Sequence, residues 1–274
     1  MQPKEIFINV CKELFERCPG NQVEVSGIGS IELFDHPIIG FATAADKLFE
    51  RYKENEVIGT MFLSPKEWLA GAKTVVAFFF PFSAAVRNSN RETSDQPSHL
   101  WLYGRTEGQQ FLNAYIEELQ RQLTGDGIKV CVPSLDGRFK IKREPLSGKG
   151  GDDFHVDNSW SERHAAYACG LGTFGLSRGL ITEKGMAGRI TSVIIDAEFE
   201  PDERKYTDIY DFCIRCGACA AKCPVGAISV EYGKNNVMCD HYLNRTKEQY
   251  FPRYGCGKCQ VGVPCESRSP NMEK

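Results

Sequence analysis

Hydrophobic and polar positions follow a helical spacing in several stretches of the chain. Apolar residues recur every three to four positions over residues 4–17 and, most regularly, over residues 107–123. This spacing is typical of amphipathic helices that bury one side. Shorter stretches at residues 42–53 and 161–169 also favour helices, the second with Ser161 as its N-cap. The apolar face of the most regular stretch consists of Phe111, Leu112, Tyr115, Ile116, Leu119 and Leu123.

Three short apolar runs predict buried strands, at residues 74–80, 128–132 and 190–195. The order strand, helix, strand over residues 74–132 predicts a βαβ unit, which is usually right-handed with parallel strands. Residues 83–98 are polar and predict a surface loop. The polar stretch at residues 201–205 predicts a boundary between an α/β domain of residues 1–205 and a second domain of residues 206–274, in an α+β fold overall.

Composition narrows the class of protein. The 274 residues are 42% hydrophobic and 25% charged, which is typical of soluble globular proteins. The net charge is -3 without a long basic run, so we expect no nucleic-acid partner. No stretch of about 18 apolar residues predicts a spanning helix, and the N-terminus lacks the pattern of a signal peptide. We therefore expect a cytoplasmic protein without a membrane partner.

The twelve cysteines are distributed as metal ligands rather than as a disulfide scaffold. Eight of them lie between Cys213 and Cys265. Residues 213–224 contain the full C-x2-C-x2-C-x3-C-P run of bacterial-type ferredoxins, in which three thiolates hold one cubane and the fourth ligates a second cluster. The four scattered cysteines are Cys11, Cys18, Cys131 and Cys169.

The spacing predicts two [4Fe-4S] clusters. The ligands assigned to the first cluster are Cys213, Cys216, Cys219 and Cys265. The ligands assigned to the second cluster are Cys223, Cys239, Cys256 and Cys259. The five residues between Cys259 and Cys265 exceed the usual three, which leaves one alternative open. This alternative is a zinc site at Cys239, Cys256, Cys259 and Cys265, since C-x2-C pairs also bind zinc.

A glycine pattern follows the helix predicted at residues 161–169. Gly170, Gly172 and Gly175 match G-x-G-x-x-G, and Asp196 lies about 20 residues further on, as in dinucleotide-binding units. A helix precedes these glycines where such a unit has a strand, so the context argues against a dinucleotide site. The alternatives are a loop that approaches a flat ligand closely or a tight packing turn.

Several segments resemble the superfamily of epoxyqueuosine reductases and reductive dehalogenases. They are Trp160–Gly175, Leu180–Thr182, Gly188-Arg189, Tyr103-Gly-Arg105 and Tyr254–Gln260. The resemblance runs from about Lys73 to Cys265, and the chain looks like a short member without the helical-repeat domain that such reductases often carry.

The resemblance implies a nitroreductase-like α/β domain that binds a base-off cobalamin. A two-cluster ferredoxin module would reduce it, fed by an external low-potential donor such as ferredoxin or flavodoxin. Gly170, Gly172 and Gly175 become candidate cofactor-binding residues. Because this chain is mildly acidic, the tRNA substrate of the epoxyqueuosine enzymes is not carried over, and a small-molecule substrate is expected.

Three residues are candidate proton donors. In the epoxyqueuosine enzymes an Asp precedes the Glu that corresponds to Glu162, but Asp157 lies one residue nearer to it than in the family. A solvent-exposed loop position is the alternative for Asp157. Tyr167 is a candidate because reductive dehalogenases commonly use a Tyr. His164 is a third candidate, with cobalt ligation or a structural role as alternatives.

The sequence thus predicts an iron–sulfur reductase in which two [4Fe-4S] clusters deliver electrons to a corrinoid that reduces a small molecule. Two alternatives remain. One is a corrinoid-free electron-transfer protein, and the other is a corrinoid-binding accessory protein without turnover.

Overall fold

The computed structural model of the protein describes residues 3–145 and 154–271. Its helices are α1 (Pro3–Arg17), α2 (Lys47–Arg51), α3 (Pro65–Trp68), α4 (Ala84–Glu92), α5 (His99–Gly125), α6 (Glu162–Ala168), α7 (Ala218–Ala221) and α8 (Asn236–Gln249). Short 3-10 turns lie at Pro133–Leu135 and Lys258–Gln260.

The strands form one central sheet and four hairpin-sized pairs. They are β1 (Gln22–Val25), β2 (Gly29–Glu32), β3 (Ile38–Thr43), β4 (Thr74–Pro81), β5 (Val130–Cys131), β6 (Ile141–Pro145), β7 (Phe154–Asn158), β8 (Gly172–Phe174), β9 (Leu180–Thr182), β10 (Gly188–Ile195), β11 (Ile228–Ser229) and β12 (Gly233–Lys234). The central sheet has the order β3-β4-β10-β5, and every neighbouring pair in it is antiparallel.

Both faces of the central sheet are covered, which explains why strand β4 is buried at all eight positions. Val76, Phe78 and Phe80 point toward helices α1 and α5, in a core that also contains Phe111 and Tyr115. The alternate residues of β4 pack against helix α6 and the aromatic side chains around Trp160 on the other face. Strand alternation therefore supplies apolar side chains to two cores at once.

The strongest periodic patterns are confirmed. Helix α1 covers the predicted residues 4–17, and α5 covers residues 107–123 but begins eight residues earlier, at His99. Ser98 caps α5, because its Oγ accepts a hydrogen bond from the backbone N–H of Trp101 at 3.2 Å. Strands β4 and β10 cover the predicted runs at 74–80 and 190–195.

Two local predictions are wrong. Residues 83–98 contain helix α4, whose single buried stripe includes Val86 and the polar Asn90, too few apolar positions to show a period. The helix predicted over 42–53 is reduced to α2, because residues 38–43 pair with β4 as strand β3. Asp46 sets the start of α2, since its Oδ1 accepts from the N–H of Leu48 at 3.0 Å.

The βαβ prediction is partly wrong. Strands β4 and β5 do run in the same direction, because each is antiparallel to β10. They are not neighbours, since β10 lies between them. One of the two strands that pair with β4 thus comes from more than 100 residues further along the chain, which no local pattern indicates.

The segment after residue 205 packs closely on the sheet domain. Arg253 Nε donates to Glu107 Oε1 on α5 at 2.8 Å, and Arg91 Nη2 donates to Glu266 Oε1 at 2.7 Å. The overall architecture is mixed α and β. The division at residue 205 stays a prediction. In the described parts of the chain, no helix has both the length and the apolar character that crossing a membrane requires.

Candidate functional site: two cysteine cavities

The cysteines of the predicted first cluster line one small cavity of about 20 Å³, here called the first cavity. Its cysteines are Cys213, Cys216, Cys219 and Cys265. Gly217 adopts a left-handed conformation (φ +75°) and starts helix α7, which carries Cys219. Ile181 and Met186 form part of an otherwise apolar wall. Three cysteines of one short run and the distant Cys265 thus line one space.

The thiols of the first cavity disfavour one another's ionisation. Burial raises the pKa of Cys265 to about 12, and Cys213 and Cys219 add to the effect. Burial, followed by Cys213 and Cys216, likewise raises the pKa of Cys219. Thiolates crowded in this way need a cationic centre between them, which is the condition that a bound metal centre satisfies.

The other four cysteines line a second cavity of about 160 Å³ between the sheet domain and helix α8. They are Cys223, Cys239, Cys256 and Cys259. The backbone N–H of Ala227 lies 3.2 Å from Cys223 Sγ and donates to it. Such N–H bonds to sulfur are one of the means by which a protein tunes an iron–sulfur centre. The second cavity therefore has the donor set that a cluster requires.

The alternative zinc set is split between the two cavities. Cys265 lines the first cavity, whereas Cys239, Cys256 and Cys259 line the second. Over residues 3–145 and 154–271, no three His, Cys, Asp or Glu side chains are close enough to hold a single metal ion. Each set of cysteines instead surrounds a space, which suits a multi-iron cubane better than one ion.

Cationic side chains line the second cavity together with its cysteines. Arg105 on α5, Arg163 on α6 and Arg189 on β10 all face it, with Lys234 on β12. Among the described residues none of the three arginines forms an ion pair with a carboxylate. Arg105 instead lies over the ring of Tyr254, at 4.7 Å from its centroid.

Arg163 is the most exposed of the three arginines and also lines the second cavity. The surrounding protein and, after it, Arg105 lower the pKa of Arg163, against the opposing effect of Cys259 and Cys239. Burial, followed by Arg105, lowers the pKa of Arg189 to about 9. Arginines without anions in a low-dielectric cavity are costly unless a negative group is bound there.

Buried polar atoms without partners point to the same cavity. Arg105 Nε, Arg189 Nε and Gln260 Oε1 are buried and have no hydrogen-bond partner among the described residues. All three residues line the second cavity. Buried polar groups are nearly always satisfied in native proteins, so these atoms indicate a bound group that completes the site.

Lys258 fixes the loop between two cysteines of the second cavity. Its side chain is 1% exposed, and its Nζ donates to the carbonyl oxygens of Asn90 and Thr93, each at 2.7 Å. Burial lowers the pKa of Lys258 to about 8. The ammonium group therefore joins the cysteine loop to the C-terminal end of helix α4.

The three candidate proton donors are not among the residues that line either cysteine cavity. Asp157 on β7 is 7% exposed, and its carboxylate lies against Gly59, where an added Cβ would be 2.6 Å from Asp157 Cγ. Its Oδ1 has no hydrogen-bond partner among the described residues. Asp157 is thus buried, against the solvent-exposed alternative, and its role as an acid stays a prediction.

His164 and Tyr167 both belong to helix α6. The Nδ1 atom of His164 lies 2.8 Å from Ser161 Oγ, and its ring packs 5.0 Å from Tyr52 and 4.9 Å from Phe174. Burial, followed by Arg163, lowers the pKa of His164 to about 3. A histidine that is neutral at physiological pH is a poor acid there, which favours its structural role.

Tyr167 packs against a second tyrosine. The ring centroids of Tyr167 and Tyr206 are 4.9 Å apart, and burial is the main cause that raises the pKa of Tyr167. The side chain is half-buried. Its function as a donor stays a prediction.

The three glycines of the predicted cofactor loop are close to protein atoms. An added Cβ at Gly172 would lie 2.0 Å from the carbonyl oxygen of Ile181, and at Gly175 it would lie 3.2 Å from Ile181 Cδ1. Gly170 has a φ of +79°, which favours glycine. The tight packing between strands β8 and β9 thus explains Gly172, and the cofactor-binding role of all three glycines stays a prediction.

Sequence reasoning missed Glu162 and the role of the arginines. Glu162 Oε2 accepts from Ser192 Oγ at 2.5 Å, and burial raises the pKa of Glu162 to about 7. Arg105, Arg163 and Arg189 all belong to segments on which the family resemblance rests. Their occurrence in these segments is the sequence signal that could have identified the three arginines, because no local pattern places them close together.

Comparisons with known proteins find similarity to a 4Fe-4S binding domain and to epoxyqueuosine reductases. A family model described as a 4Fe-4S binding domain matches residues 206–229. Over 114 residues the chain is 32% identical to the epoxyqueuosine reductase of Listeria monocytogenes, which covers 38% of this chain and 29% of the relative. The match therefore spans less than a third of that protein's length.

Solved structures resemble this fold over nearly the whole chain. An epoxyqueuosine reductase crystallised with a tRNA stem loop aligns with a TM-score of 0.54 at 21% identity, covering 95% of this chain and 66% of that chain. A reductive dehalogenase, whose structure suggests a mechanism for B12-dependent dehalogenation, aligns with a TM-score of 0.51 at 13% identity. That alignment covers 97% of this chain and 37% of the dehalogenase. At these identities the likeness shows the fold.

Proposed function

We propose that this chain, which resembles epoxyqueuosine reductases in sequence and both these reductases and reductive dehalogenases in fold, is an iron–sulfur reductase with two [4Fe-4S] clusters. The observation that carries the proposal is the division of eight cysteines into two sets of four, each lining its own cavity. Cys213, Cys216, Cys219 and Cys265 hold the first cluster. Cys223, Cys239, Cys256 and Cys259 hold the second. Clusters held in this way supply one-electron transfer.

The residues around the two cavities support a different role for each proposed cluster. Cys216 is the one exposed cysteine of the eight, so the first cluster is the entry point for electrons. The second cluster lies beside Arg105, Arg163 and Arg189 of the sheet domain, which hold negative charge there. A small-molecule substrate is the proposed electron acceptor, and Asp157 and Tyr167 are the proposed proton donors, although neither lines the two cysteine cavities.

The corrinoid is a separate part of the proposal. It is supported by the resemblance of the chain to proteins such as the dehalogenase discussed in terms of B12. The two cysteine cavities measure about 20 and 160 Å³, below the roughly 300–1,000 Å³ of pockets for drug-sized ligands. A corrinoid therefore does not fit them as they stand, and no step of the proposed reaction passes through it. The nitroreductase-like character of the sheet domain is likewise a proposal.

Iron analysis after anaerobic purification tests the clusters. We expect about eight irons per chain. Cys239→Ala and Cys265→Ala should each lose about half of the iron, because each removes a ligand of one cluster only. Cys18→Ala is the matched control, since Cys18 lies in neither set and should retain all of the iron. About four irons with one zinc per chain would overturn the two-cluster proposal.

Cobalamin uptake separates this proposal from its second candidate, a corrinoid-free electron-transfer protein. The small cavities favour that candidate. Visible spectra of the fully loaded chain with added cobalamin report base-off binding directly. Cobalamin uptake without turnover of any substrate would support an accessory protein. Full iron without cobalamin uptake would support the corrinoid-free electron-transfer protein.

A further inference from the structure

The second cavity has more room than a cluster alone would need. Four cysteines line it, as four line the first cavity, but it measures about 160 Å³, whereas the first measures about 20 Å³. The difference is several times the space that a water molecule needs. If clusters of the same type occupy both cavities, the second cavity has space for a further group of several atoms.

The wall of the second cavity is cationic. Its lining residues among the described parts of the chain include Arg105, Arg163, Arg189 and Lys234, but no Asp or Glu. Burial comes first and Arg105 second among the causes that lower the pKa of both Arg163 and Arg189. The three guanidinium groups are therefore close enough to repel one another, and an anion between them would relieve that repulsion.

The carboxylates of Glu107, Asp240 and Glu162 lie close in the chain to residues that line the cavity. Both oxygens of Glu107 accept from Arg253 Nε, at 2.8 and 3.0 Å. Asp240 forms an ion pair with Arg143 at 3.1 Å. Burial raises the pKa of Glu162 to about 7, so a large part of it is neutral at physiological pH. These groups do not compensate the charge of the cavity wall.

Two of the four cations face the cysteines. The pKa of Arg163, lowered mainly by burial, is raised in part by Cys259 and Cys239. Burial raises the pKa of Cys259 to about 12, and Lys234 opposes this rise. Arg163 and Lys234 thus lie where they balance the thiolates of the proposed second cluster.

The other two cations, Arg105 and Arg189, lie toward the sheet domain. After burial, the charged groups that affect the pKa of Arg189 are Arg105, Tyr254 and Arg163, and no cysteine is among them. Arg105 lies over the ring of Tyr254, and Arg189 Nη2 donates to Gln109 Oε1. The Nε atoms of Arg105 and Arg189 are buried and have no hydrogen-bond partner among the described residues. These two guanidinium groups therefore have donors that the proposed cluster does not engage.

We propose that Arg105 and Arg189 form an oxyanion subsite in the second cavity, and that the small molecule reduced by this protein carries a carboxylate or a phosphate that binds there. The proposal rests on the proposed reductase function and adds the chemical class of the substrate. Guanidinium groups bind carboxylate and phosphate oxygens through paired, charge-assisted N–H bonds. The subsite would hold the substrate beside the second cluster by its anionic group, without a change in bonding at that group.

Calorimetric titration of the iron-loaded chain with inorganic phosphate, and separately with benzoate, tests this subsite. We expect a single site, and Arg105→Gln and Arg189→Gln should each weaken phosphate binding by about tenfold or more, because each removes a charged donor. Arg105→Lys keeps the charge without the planar fork, so its loss should be smaller. Arg121→Gln is the matched control, since this exposed arginine on α5 pairs with Glu118 and its loss should leave the affinity unchanged.

Arg163→Gln tests the division of the cations into two pairs. It should lower the potential of the second cluster but weaken phosphate binding by less than about threefold, because Arg163 faces the cysteines. If Arg163→Gln weakened phosphate binding as much as Arg105→Gln does, the assignment of the subsite to Arg105 and Arg189 would be overturned. Phosphate binding to the iron-depleted chain alone would also overturn it, since the arginines would then serve the cluster.

Iron content distinguishes failure of the subsite from failure of the reductase function. Low iron in the wild-type chain would overturn the proposed clusters, whether or not phosphate binds. Full iron without phosphate or benzoate binding, or with an affinity that both glutamine variants retain, would overturn the subsite alone. If Arg189→Gln does not fold, Arg105→Gln and Arg105→Lys decide the outcome.

The source of the anion is tested by competition. Added cobalamin carries a phosphate of its own, and a substrate subsite should keep its affinity for inorganic phosphate in the presence of cobalamin. Displacement of inorganic phosphate by cobalamin would assign the two arginines to a cofactor and overturn the substrate class proposed for this site.

Discussion

The two cysteine cavities have the same donor set but opposite surroundings. The first cavity is about 20 Å³, with walls that include Ile181, Met186 and Val263, and it reaches the surface at Cys216. The second cavity is about 160 Å³ and faces three arginines of the sheet domain. Identical ligands can therefore be placed in an apolar setting that reaches the surface at Cys216 and in a cationic setting within the same protein.

This difference has a consequence for the proposed clusters. A reduced cluster is more negative than an oxidised one, so nearby cations stabilise the reduced form and raise its potential. Arg163 is close enough to Cys239 and Cys259 for these thiols to oppose the lowering of its pKa. We therefore expect the second cluster to have the higher potential. Electrons that enter at the first cluster then pass to the second cluster, beside the sheet domain, because the second cluster has the higher potential.

The largest expected effect concerns helix α6, which brings Arg163 to the second cavity and begins with Glu162. Burial raises the pKa of Glu162 from 4.5 to about 7. The stability associated with its protonated form is complete below pH 4.5 and is lost as the pH rises through 7, because the unfolded chain ionises more easily. At pH 8 Glu162→Gln should therefore be more stable than the wild type by up to about 3 kcal/mol.

Thermal unfolding of the anaerobic protein at several pH values between 4 and 8 measures this effect. The advantage of Glu162→Gln should grow with pH and level off above pH 7. Glu117→Gln, an exposed change on α5, should show no such trend. A stability difference that stays constant across the pH range would contradict the burial of a titrating acid beside the second cavity.

The next effect tests the electrostatic difference directly. Arg163→Gln removes a cation from the second cavity, so the potential of the second cluster should fall by on the order of 50–100 mV. The first cluster should keep its potential. Arg163→Lys is the matched control, because it retains the charge and should keep the potential of the second cluster near its wild-type value. Redox titration followed by electron paramagnetic resonance measures both clusters, and equal shifts in the two would sink the distinction.

How much of the fold the sequence could predict depended on local signals. Helices α1 and α5 and strands β4 and β10 have strong periodic patterns, and all four were predicted. The insertion of β10 between β4 and β5 was not predicted, since strand pairing depends on contacts distant in sequence. Helix α4 was missed because its buried side includes the polar Asn90.

For the candidate site, too, only the features that are local in sequence could be predicted. Ligand spacing in residues 213–223 is a local property, so the sequence alone could assign that motif. Arg105, Arg163 and Arg189 come from α5, α6 and β10 and meet only in the folded chain. Burial also cannot be read from neighbours in sequence, which is why Asp157 had an exposed alternative and Glu162 was overlooked as a titrating group.

The smallest expected effect lies in the wall of the first cavity. Met186 is 4% exposed, and its Sδ lies 3.3 Å from Cys265 Sγ. Met186→Leu nearly conserves volume and removes no charge, so the first potential should shift by less than about 30 mV with all iron retained. Ile228→Leu is the matched change in the wall of the second cavity. A shift of the first cluster's potential by more than about 60 mV in Met186→Leu would mean that the thioether tunes this cluster. The apolar side chains that line the first cavity would then not be electrostatically passive.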